Sequence, residues 1–259
     1  MRHSILFAAL AMLAMPADSF SQTRPVLAVF AHPDDERIVG PLLHRLTREG
    51  REVHLVIATD GSKGVGEHAG IPAGKALADA RRLESECAAK RLGVRQLHML
   101  GLEDGGLASF ATLGRLGSEL SAIVGRVRPS RFLTNGPEGG TGHPDHRLVG
   151  NVATQIVQQD SVYRWADLLY ASIPSERVRT APRASPGVNG IAAELLTVRI
   201  PFEAQDLAAG REEFGCHKTQ YTQVEMDAVN AYLAHAWDGR VWLRPWNGTM
   251  RQPNALPAR

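Results

Sequence analysis

The sequence predicts an α/β protein in which one mostly parallel sheet carries helices on both faces. From residue 26 onward, short apolar runs rich in β-branched residues alternate with segments of helical hydrophobic spacing. This alternation implies right-handed crossovers, which lay the helices over both faces of the sheet. The 259-residue chain has no internal repeat and no abrupt change of composition, so we expect a single domain.

The first two thirds of the chain carry the clearest pattern. The predicted strands are 26–31, 53–59, 96–100, 131–135 and 168–172. The predicted helices between them lie around 42–46 and at 75–92, 113–127 and 145–159. Glycines follow the first two helices, where the left-handed backbone of a helix C-terminus favours this residue.

The C-terminal third has a weaker pattern. Residues 174–190 are rich in proline, arginine and serine, and they predict a long irregular loop. A strand at 195–200 and two helices at 204–216 and 224–236 are expected to follow. No linker separates this part from the rest, so we assign it to the same domain.

The charge balance argues against a polyanion as partner. The chain carries 29 basic and 27 acidic residues, a formal net charge of +2, and therefore has no extended field of one sign. Its arginines are not interleaved with aromatic side chains that could stack on bases. Neither nucleic acid nor an anionic membrane surface is expected as a partner.

The N-terminal residues predict export. A basic start at 1–3 is followed by an apolar run at 5–15 and by small residues at 16–22 that suit signal-peptide cleavage. The apolar run is too short for a bilayer span of roughly 20 residues, and no cysteine follows it to carry a lipid anchor. We expect a signal peptide at 1–21 and a periplasmic or extracellular domain at 22–259 without a membrane anchor.

The two cysteines leave two interpretations open. Cys87 and Cys216 are too few for a disulfide framework, and they lack the C-x-x-C spacing of a structural metal site. Two buried thiols are the simpler interpretation, whereas an exported protein could also join them in a disulfide.

Polar residues follow four of the predicted strands, at the end where each strand stops. In an open α/β sheet, ligands bind beyond the carboxyl ends of the strands. The four polar segments are 31–36, 59–61, 102–105 and 143–146. Because parallel strands end at the same edge, we expect these segments to converge on one site.

Two pairs of these polar residues have the spacing of metal ligands. His32 and Asp35 are three positions apart, and so are His143 and His146. Three imidazole or carboxylate ligands with one open position are typical of a catalytic zinc site. The alternative is that the aspartates cap a helix and the histidines lie at a helix N-terminus. Convergence of both pairs at one sheet edge favours the metal site.

The same segments resemble a known family. The motifs A-H-P-D-D-E-x-x-x-G at 31–40 and G-H-P-D-H at 142–146 are similar to the paired signatures of the PIG-L/LmbE-like zinc de-N-acetylases. Weaker blocks occur in the family's order at 59–61, 81–93, 100–105 and 216–220. The resemblance covers about 26–220, and the expected fold is a single Rossmann-like α/β domain.

The resemblance implies the roles of the metal-site residues. One zinc ion per chain is held by His32, Asp35 and His146, and Asp34 is the general base. Iron or cobalt can also occupy a site with such ligands, so another divalent metal is an alternative. Amide hydrolysis needs a polarised carbonyl, an activated water and a proton donor, which one metal, one carboxylate and one imidazolium supply.

The imidazolium in this scheme is His143. By the resemblance, it stabilises the oxyanion and serves the leaving amine. Asp145, two positions later, is expected to orient the His143 ring and to keep it protonated. Some family members carry a tyrosine before the glycine of the second motif, where it can assist the oxyanion. This chain has Thr141 there, so that assistance is not expected.

Three more residues match substrate-binding positions of the family: Arg81, Asp104 and His217. A guanidinium and a carboxylate suit the vicinal hydroxyl groups of a sugar. The alternatives are that Arg81 only pairs with Glu84 on a helix surface and that His217 only interacts with a helix C-terminus.

The expected function, by resemblance, is zinc-dependent removal of an N-acyl group, typically acetyl, from an N-acetylglucosamine-type sugar. The expected partner is a small-molecule or glycan substrate, and export favours envelope or extracellular glycans. One alternative is a metal-dependent amidase that acts on non-sugar N-acyl compounds. Another is an inactive carbohydrate-binding protein, which would be expected to lack the general base, whereas Asp34 is present.

Overall fold

The computed structural model describes residues 24–159, 166–181 and 187–247. The predicted signal peptide at 1–21 lies outside the described residues. Within them, no helix is both long enough and apolar enough to cross a bilayer.

Strands and helices alternate along most of the described chain, as predicted. The strands are β1 (Val26–Phe30), β2 (Val53–Thr59), β3 (Gln96–Leu102), β4 (Arg131–Asn135), β5 (Asp167–Ser172), β6 (Val198–Pro201) and β7 (Arg240–Pro245). The α-helices are α1 (Gly40–Arg48), α2 (Lys75–Arg91), α3 (Phe110–Val127), α4 (Pro144–Gln159), α5 (Ser175–Thr180), α6 (Ala204–Phe214) and α7 (Gln223–Trp237). Short 3-10 helices form at Asp35–Val39, Glu67–Ala69 and Ala193–Leu195.

The seven strands form one sheet in the order β3-β2-β1-β4-β5-β7-β6. Strands β1 to β5 pair in parallel, and β7 runs antiparallel to both of its neighbours. This is the predicted single α/β domain with a mostly parallel sheet. The strand order reverses between β1 and β4, and such a switch point opens a crevice at the carboxyl edge.

Side chains alternate along the strands and build one core on each face of the sheet. In β1, Val26, Ala28 and Phe30 belong to the core beneath α1 and α7, whereas Leu27 and Val29 belong to the core beneath α3 and α4. All five are fully buried. Each large apolar side chain buried in this way stabilises the fold by roughly 1.5–3 kcal/mol. The loop that follows β1 therefore starts from a rigid position.

The C-terminal third departs from the prediction. The segment 174–190 contains helix α5, and β6 begins at Val198, after a 3-10 helix, rather than at residue 195. Strand β7 was not predicted, although 241–243 is an apolar run. Gly239, with φ 75°, precedes β7, which inserts between β5 and β6. Its position depends on pairing with strands that are distant in sequence, which a local pattern does not reveal.

A disulfide joins the two cysteines, with an S–S distance of 2.03 Å. Cys87 lies on α2, and Cys216 lies just after α6, 129 residues further along the chain. Of the two interpretations that the sequence left open, the structure has the disulfide.

Candidate active site

The site lies at the carboxyl edge of the parallel strands, where the strand order reverses. Strand β1 pairs with β2 on one side and with β4 on the other. The loop after β1 carries His32, Asp34 and Asp35, and the first turn of α4 carries Asp145 and His146. The predicted convergence of these segments is therefore observed.

Three of the predicted metal ligands face one another. His32 Nδ1 lies 3.1 Å from His146 Nε2 and 3.4 Å from Asp35 Oδ2, and His146 Nε2 lies 3.1 Å from Asp35 Oδ1. Tetrahedral bonds of about 2.0–2.1 Å to zinc would place ligand atoms about 3.3 Å apart. The three side chains, each less than a tenth exposed, therefore fit one divalent ion of this size.

The remaining ring nitrogens of both imidazoles have protein partners. His32 Nε2 lies 3.2 Å from Asp104 Oδ1 and 3.4 Å from Asp145 Oδ2, and His146 Nδ1 donates to the Gly139 carbonyl at 2.8 Å. Such outer contacts orient a histidine so that its other nitrogen is free to bind a metal. Asp104 and Asp145 thus support the ring of His32 from behind.

The carboxylates around the site favour a cation. Burial lowers the pKa of His32, but hydrogen bonds to Asp104, Asp145 and Asp35 outweigh it and raise that pKa to about 12. Burial raises the pKa of Asp35, but the imidazoles of His146 and His32 outweigh it and hold that pKa well below its usual value. The carboxylates stabilise positive charge at the position where a metal ion would bind.

Asp34 is not one of these three ligands and has its own set of partners. Tyr221 donates its hydroxyl to Asp34 Oδ2 at 2.8 Å, and Arg37 Nη1 lies 3.1 Å from Oδ1. The backbone N–H of Asp34 donates to Glu36 Oε2 at 3.0 Å. The residue adopts φ 100°, a left-handed conformation that a non-glycine residue keeps only when its surroundings enforce it.

His143 is placed beside the ligands, with its ring centre 4.7 Å from that of His32. Its Nδ1 accepts the backbone N–H of Asp145 at 3.1 Å, so the ring proton is on Nε2. Burial, together with His32 and His146, lowers the pKa of His143. His143 can therefore donate one hydrogen bond through Nε2.

This arrangement corrects the role predicted for Asp145. Its carboxylate does not contact His143. Asp145 Oδ2 accepts the backbone N–H of Gly105 at 2.8 Å and lies near His32 Nε2. The backbone of Asp145, not its side chain, orients His143, because the carboxylate turns inward at the start of α4.

The three predicted substrate contacts have different positions. His217 is fully buried and donates to Glu36 Oε1 at 3.1 Å, and substrate contact by it stays a prediction. Arg81 donates to the carbonyls of Pro33 and Gly61 at 2.6 and 3.0 Å. Asp104 accepts a backbone N–H and faces His32. Substrate contact by Arg81 and Asp104 stays a prediction.

A cavity of about 270 Å³ opens beside Asp35 and His146. The residues that complete its wall come mainly from the 3-10 helix after β1, from the segment after β5 and from α7. They include Arg37, Ile38, Ile173, Tyr221, Val229, Tyr232 and Leu233. No motif in the sequence marks any of these as functional residues. Val229, Tyr232 and Leu233 have the i, i+3, i+4 spacing of one helix face, which is a detectable signal but equally typical of core.

Fold and site together define an α/β protein with a candidate metal site at the carboxyl edge of its sheet, where His32, Asp35 and His146 meet. A family model described as "PIG-L: GlcNAc-PI de-N-acetylase" matches residues 27–157, half of the chain. The chain belongs to the PIG-L family.

Two curated relatives are similar to the chain. A probable N-acetyl-alpha-D-glucosaminyl L-malate deacetylase 2 of Bacillus cereus is 33% identical over 138 residues, which are 52% of this chain and 62% of that protein. A 1D-myo-inositol 2-acetamido-2-deoxy-alpha-D-glucopyranoside deacetylase of Saccharomonospora viridis is 31% identical over 198 residues, 68% of this chain and 70% of that protein. The chain thus spans less than two thirds of the length of the Bacillus cereus relative.

The fold is also found in solved structures. The N,N'-diacetylchitobiose deacetylase from Pyrococcus horikoshii superposes with a TM-score of 0.68 at 20% identity, covering 90% of this chain and 87% of that one. At this identity the likeness concerns the fold.

Proposed function

We propose that the protein is a zinc-dependent hydrolase that removes an N-acyl group, typically acetyl, from an N-acetylglucosamine-type sugar. One observation carries the proposal: polar side-chain atoms of His32, Asp35 and His146 lie 3.1–3.4 Å apart, next to the separately held carboxylate of Asp34. Membership of the PIG-L family and the deacetylase names of the relatives support it.

His32, Asp35 and His146 would hold the ion. A divalent metal there would supply Lewis-acid polarisation of the amide carbonyl and would lower the pKa of water. Asp34, oriented by Tyr221 and Arg37, accepts the proton of the attacking water. The hydroxyl adds to the carbonyl carbon, and the carbonyl oxygen gains negative charge.

His143 has one proton to offer. Its Nε2–H donates a hydrogen bond to the developing oxyanion, where a fixed donor stabilises the transition state more than the substrate. Because Nδ1 accepts a backbone N–H, the ring carries no second proton for the amine. Asp34 therefore passes the proton that it took from water to the leaving nitrogen as the C–N bond breaks. This replaces the imidazolium predicted from the sequence.

A second candidate is an amidase acting on non-sugar N-acyl compounds. Ile38, Ile173 and Leu233 line the cavity and favour a substrate with an apolar part. The metal residues would be the same in both cases, and the cavity contacts would differ.

We also propose that the protein is exported. The Cys87–Cys216 disulfide supports export, since disulfides persist mainly in oxidising compartments. Mass spectrometry of the protein recovered from its native cells tests it: a mature chain beginning near Gln22 is expected, whereas a cytosolic chain that still begins at Met1 would contradict it.

The function is tested by metal analysis joined to a screen for acetate release. We expect one equivalent of zinc per chain and release of acetate from N-acetylglucosaminides. Removal of the metal should stop the release, and added zinc should restore it. Release that survives complete metal removal would overturn the metal mechanism, and faster turnover of N-acyl amino acids would favour the amidase.

A further inference from the structure

A buried ion pair lies directly behind Asp34. Glu36 and His217 are both fully buried, although charged side chains are rarely buried without a partner. Glu36 Oε2 accepts the backbone N–H of Asp34 at 3.0 Å, and Oε1 accepts the Nε2–H of His217 at 3.1 Å. One carboxylate therefore links the Asp34 backbone to an imidazole 183 positions away in sequence.

The backbone of Asp34 needs such support. At φ 100° an L-residue is held in a conformation that it rarely adopts unaided. Side chains bind both of its backbone polar groups: Glu36 accepts from the N–H, and Arg37 donates to the carbonyl at 2.5 Å. Arg81 in addition binds the carbonyl of Pro33. The direction of the Asp34 carboxylate thus depends on contacts around this turn.

His217 is itself anchored on both sides. The residue before it, Cys216, is joined to Cys87 by the disulfide. Two residues after it, Thr219 donates its N–H and its hydroxyl to the Glu84 carboxylate at 2.7 and 2.8 Å. Cys87 and Glu84 are three positions apart on α2, which places both anchors on one face of this helix.

We propose that Glu36 and His217 are positioning residues that set the backbone of Asp34, and that α2 holds His217 in place through the Cys87–Cys216 and Glu84–Thr219 links. The proposal rests on the proposed function insofar as Asp34 is the group that moves protons. Independently of that function, His217 holds the Glu36 carboxylate, and Glu36 keeps the Asp34 backbone in its left-handed conformation.

The charge state of the pair agrees with this role. Burial lowers the pKa of His217, but Glu36 and Glu213 outweigh it and raise that pKa to about 10. The ring is therefore protonated at neutral pH, and Nε2 is a donor. Glu213, whose Oε1 lies 3.7 Å from Nε2, has no hydrogen-bond partner for its carboxylate among the described residues. Burial of Glu213 raises its pKa to about 7.

Loss of the pair should leave the metal ligands in place. His32 and Asp35 are tied to each other by the hydrogen bond from the His32 N–H to Asp35 Oδ2 at 2.9 Å, and Asp104 supports the His32 ring independently. Displacement of Asp34 alone should therefore lower kcat and leave metal content and KM unchanged. A misplacement of about 1 Å can cost about 10²-fold in rate.

The test compares His217→Gln with His217→Asn in the full chain with its zinc. The amide nitrogen of glutamine reaches roughly where Nε2 lies and can still donate to Glu36, whereas that of asparagine is one methylene too short. Both variants bury a neutral amide, so they differ mainly in whether the hydrogen bond to Glu36 is kept. We expect His217→Asn to lower kcat about 10²-fold at unchanged KM and zinc content, and His217→Gln to recover most of that loss.

Asp206→Asn is the control variant. Asp206 lies on α6, is fully buried, and is hydrogen-bonded to His44 and Arg48 on α1. The substitution removes the ion pair that joins α6 to α1 and leaves the contacts of the Asp34 turn in place. Its kcat should equal that of the wild type.

Crystal structures of both His217 variants give a readout that does not depend on turnover. Asp34 should leave φ 100° and lose its Tyr221 contact in His217→Asn but not in His217→Gln. An unchanged Asp34 in His217→Asn, or an equal loss of kcat in both variants, overturns the proposal. A second metal equivalent that is present in the wild type and lost in the His217 variants would also overturn the proposal, because Glu36, Glu213 and His217 would then be ligands. A wild type without deacylase activity refutes the proposed function, and the crystal structures still decide this proposal.

Discussion

The two parts of the sheet contribute differently to the site. The parallel part carries the proposed metal ligands His32, Asp35 and His146 at its carboxyl edge. The part after residue 187 supplies Tyr221 and the α7 face that bounds the cavity. The family match at 27–157 ends before that second part. The family match therefore contains the three proposed metal ligands, whereas part of the cavity wall lies outside it.

The physical reason lies in how each part builds its contacts. Parallel strands end at one edge, and three ligand atoms there must meet within narrow distances to hold an ion. A cavity wall only has to be concave and to match the shape of a substrate, which many side chains can do. We therefore expect substitutions of the proposed ligands to abolish the reaction and substitutions in the cavity wall to redirect it.

The largest effect is expected for His146→Ala. Loss of one of three ligands should remove stoichiometric zinc and nearly all activity, because His146 Nε2 is the atom that faces both Asp35 and His32. Metal analysis and acetate release measure both. A fully metallated and active variant would refute the ligand assignment and with it the contrast between the two parts.

Asp34→Asn should separate proton transfer from metal binding within the first part. The amide keeps size and hydrogen bonding but cannot accept a proton, so kcat should fall by about 10²–10⁴-fold while zinc stays bound. Steady-state kinetics and metal content are the readouts. If zinc is lost instead, Asp34 is a ligand and the roles of the two adjacent aspartates must be exchanged.

His143→Ala should retain zinc and lose about 10²–10³-fold in kcat, the usual effect of removing one oxyanion donor. KM should change little, because the hydrogen bond strengthens only as charge develops on the oxygen. His98→Ala, on β3, is the matched control and should behave as the wild type. A rise in KM at constant kcat would show that His143 binds the ground state.

The smallest effect on chemistry is expected from the second part. Val229→Trp would fill part of the cavity from α7. We expect kcat/KM to fall about tenfold or more for bulky substrates and to stay near wild type for the smallest one. Zinc content should not change. An equal loss for all substrates would mean that the cavity does not determine preference.

Much of the first part was predictable. Strands 53–59 and 131–135 have the predicted bounds, because fully buried parallel strands are continuous β-branched or apolar runs. The convergence of His32, Asp35 and His146 also followed from local signals: short spacing within each motif and the position of each motif after a strand. By contrast, β7 and α5 were missed, since their pairing and packing partners are remote in sequence.

The sequence by itself determined the sheet, its ligand-binding edge and the residue types that meet there, because these depend on periodicity and on motifs a few residues long. Only the tertiary structure decided which groups touch. Asp145 faces His32 rather than His143, His217 lies buried behind Asp34, and Cys87 pairs with Cys216. These contacts depend on side-chain directions between segments up to 183 residues apart, and sequence spacing carries no information about such directions.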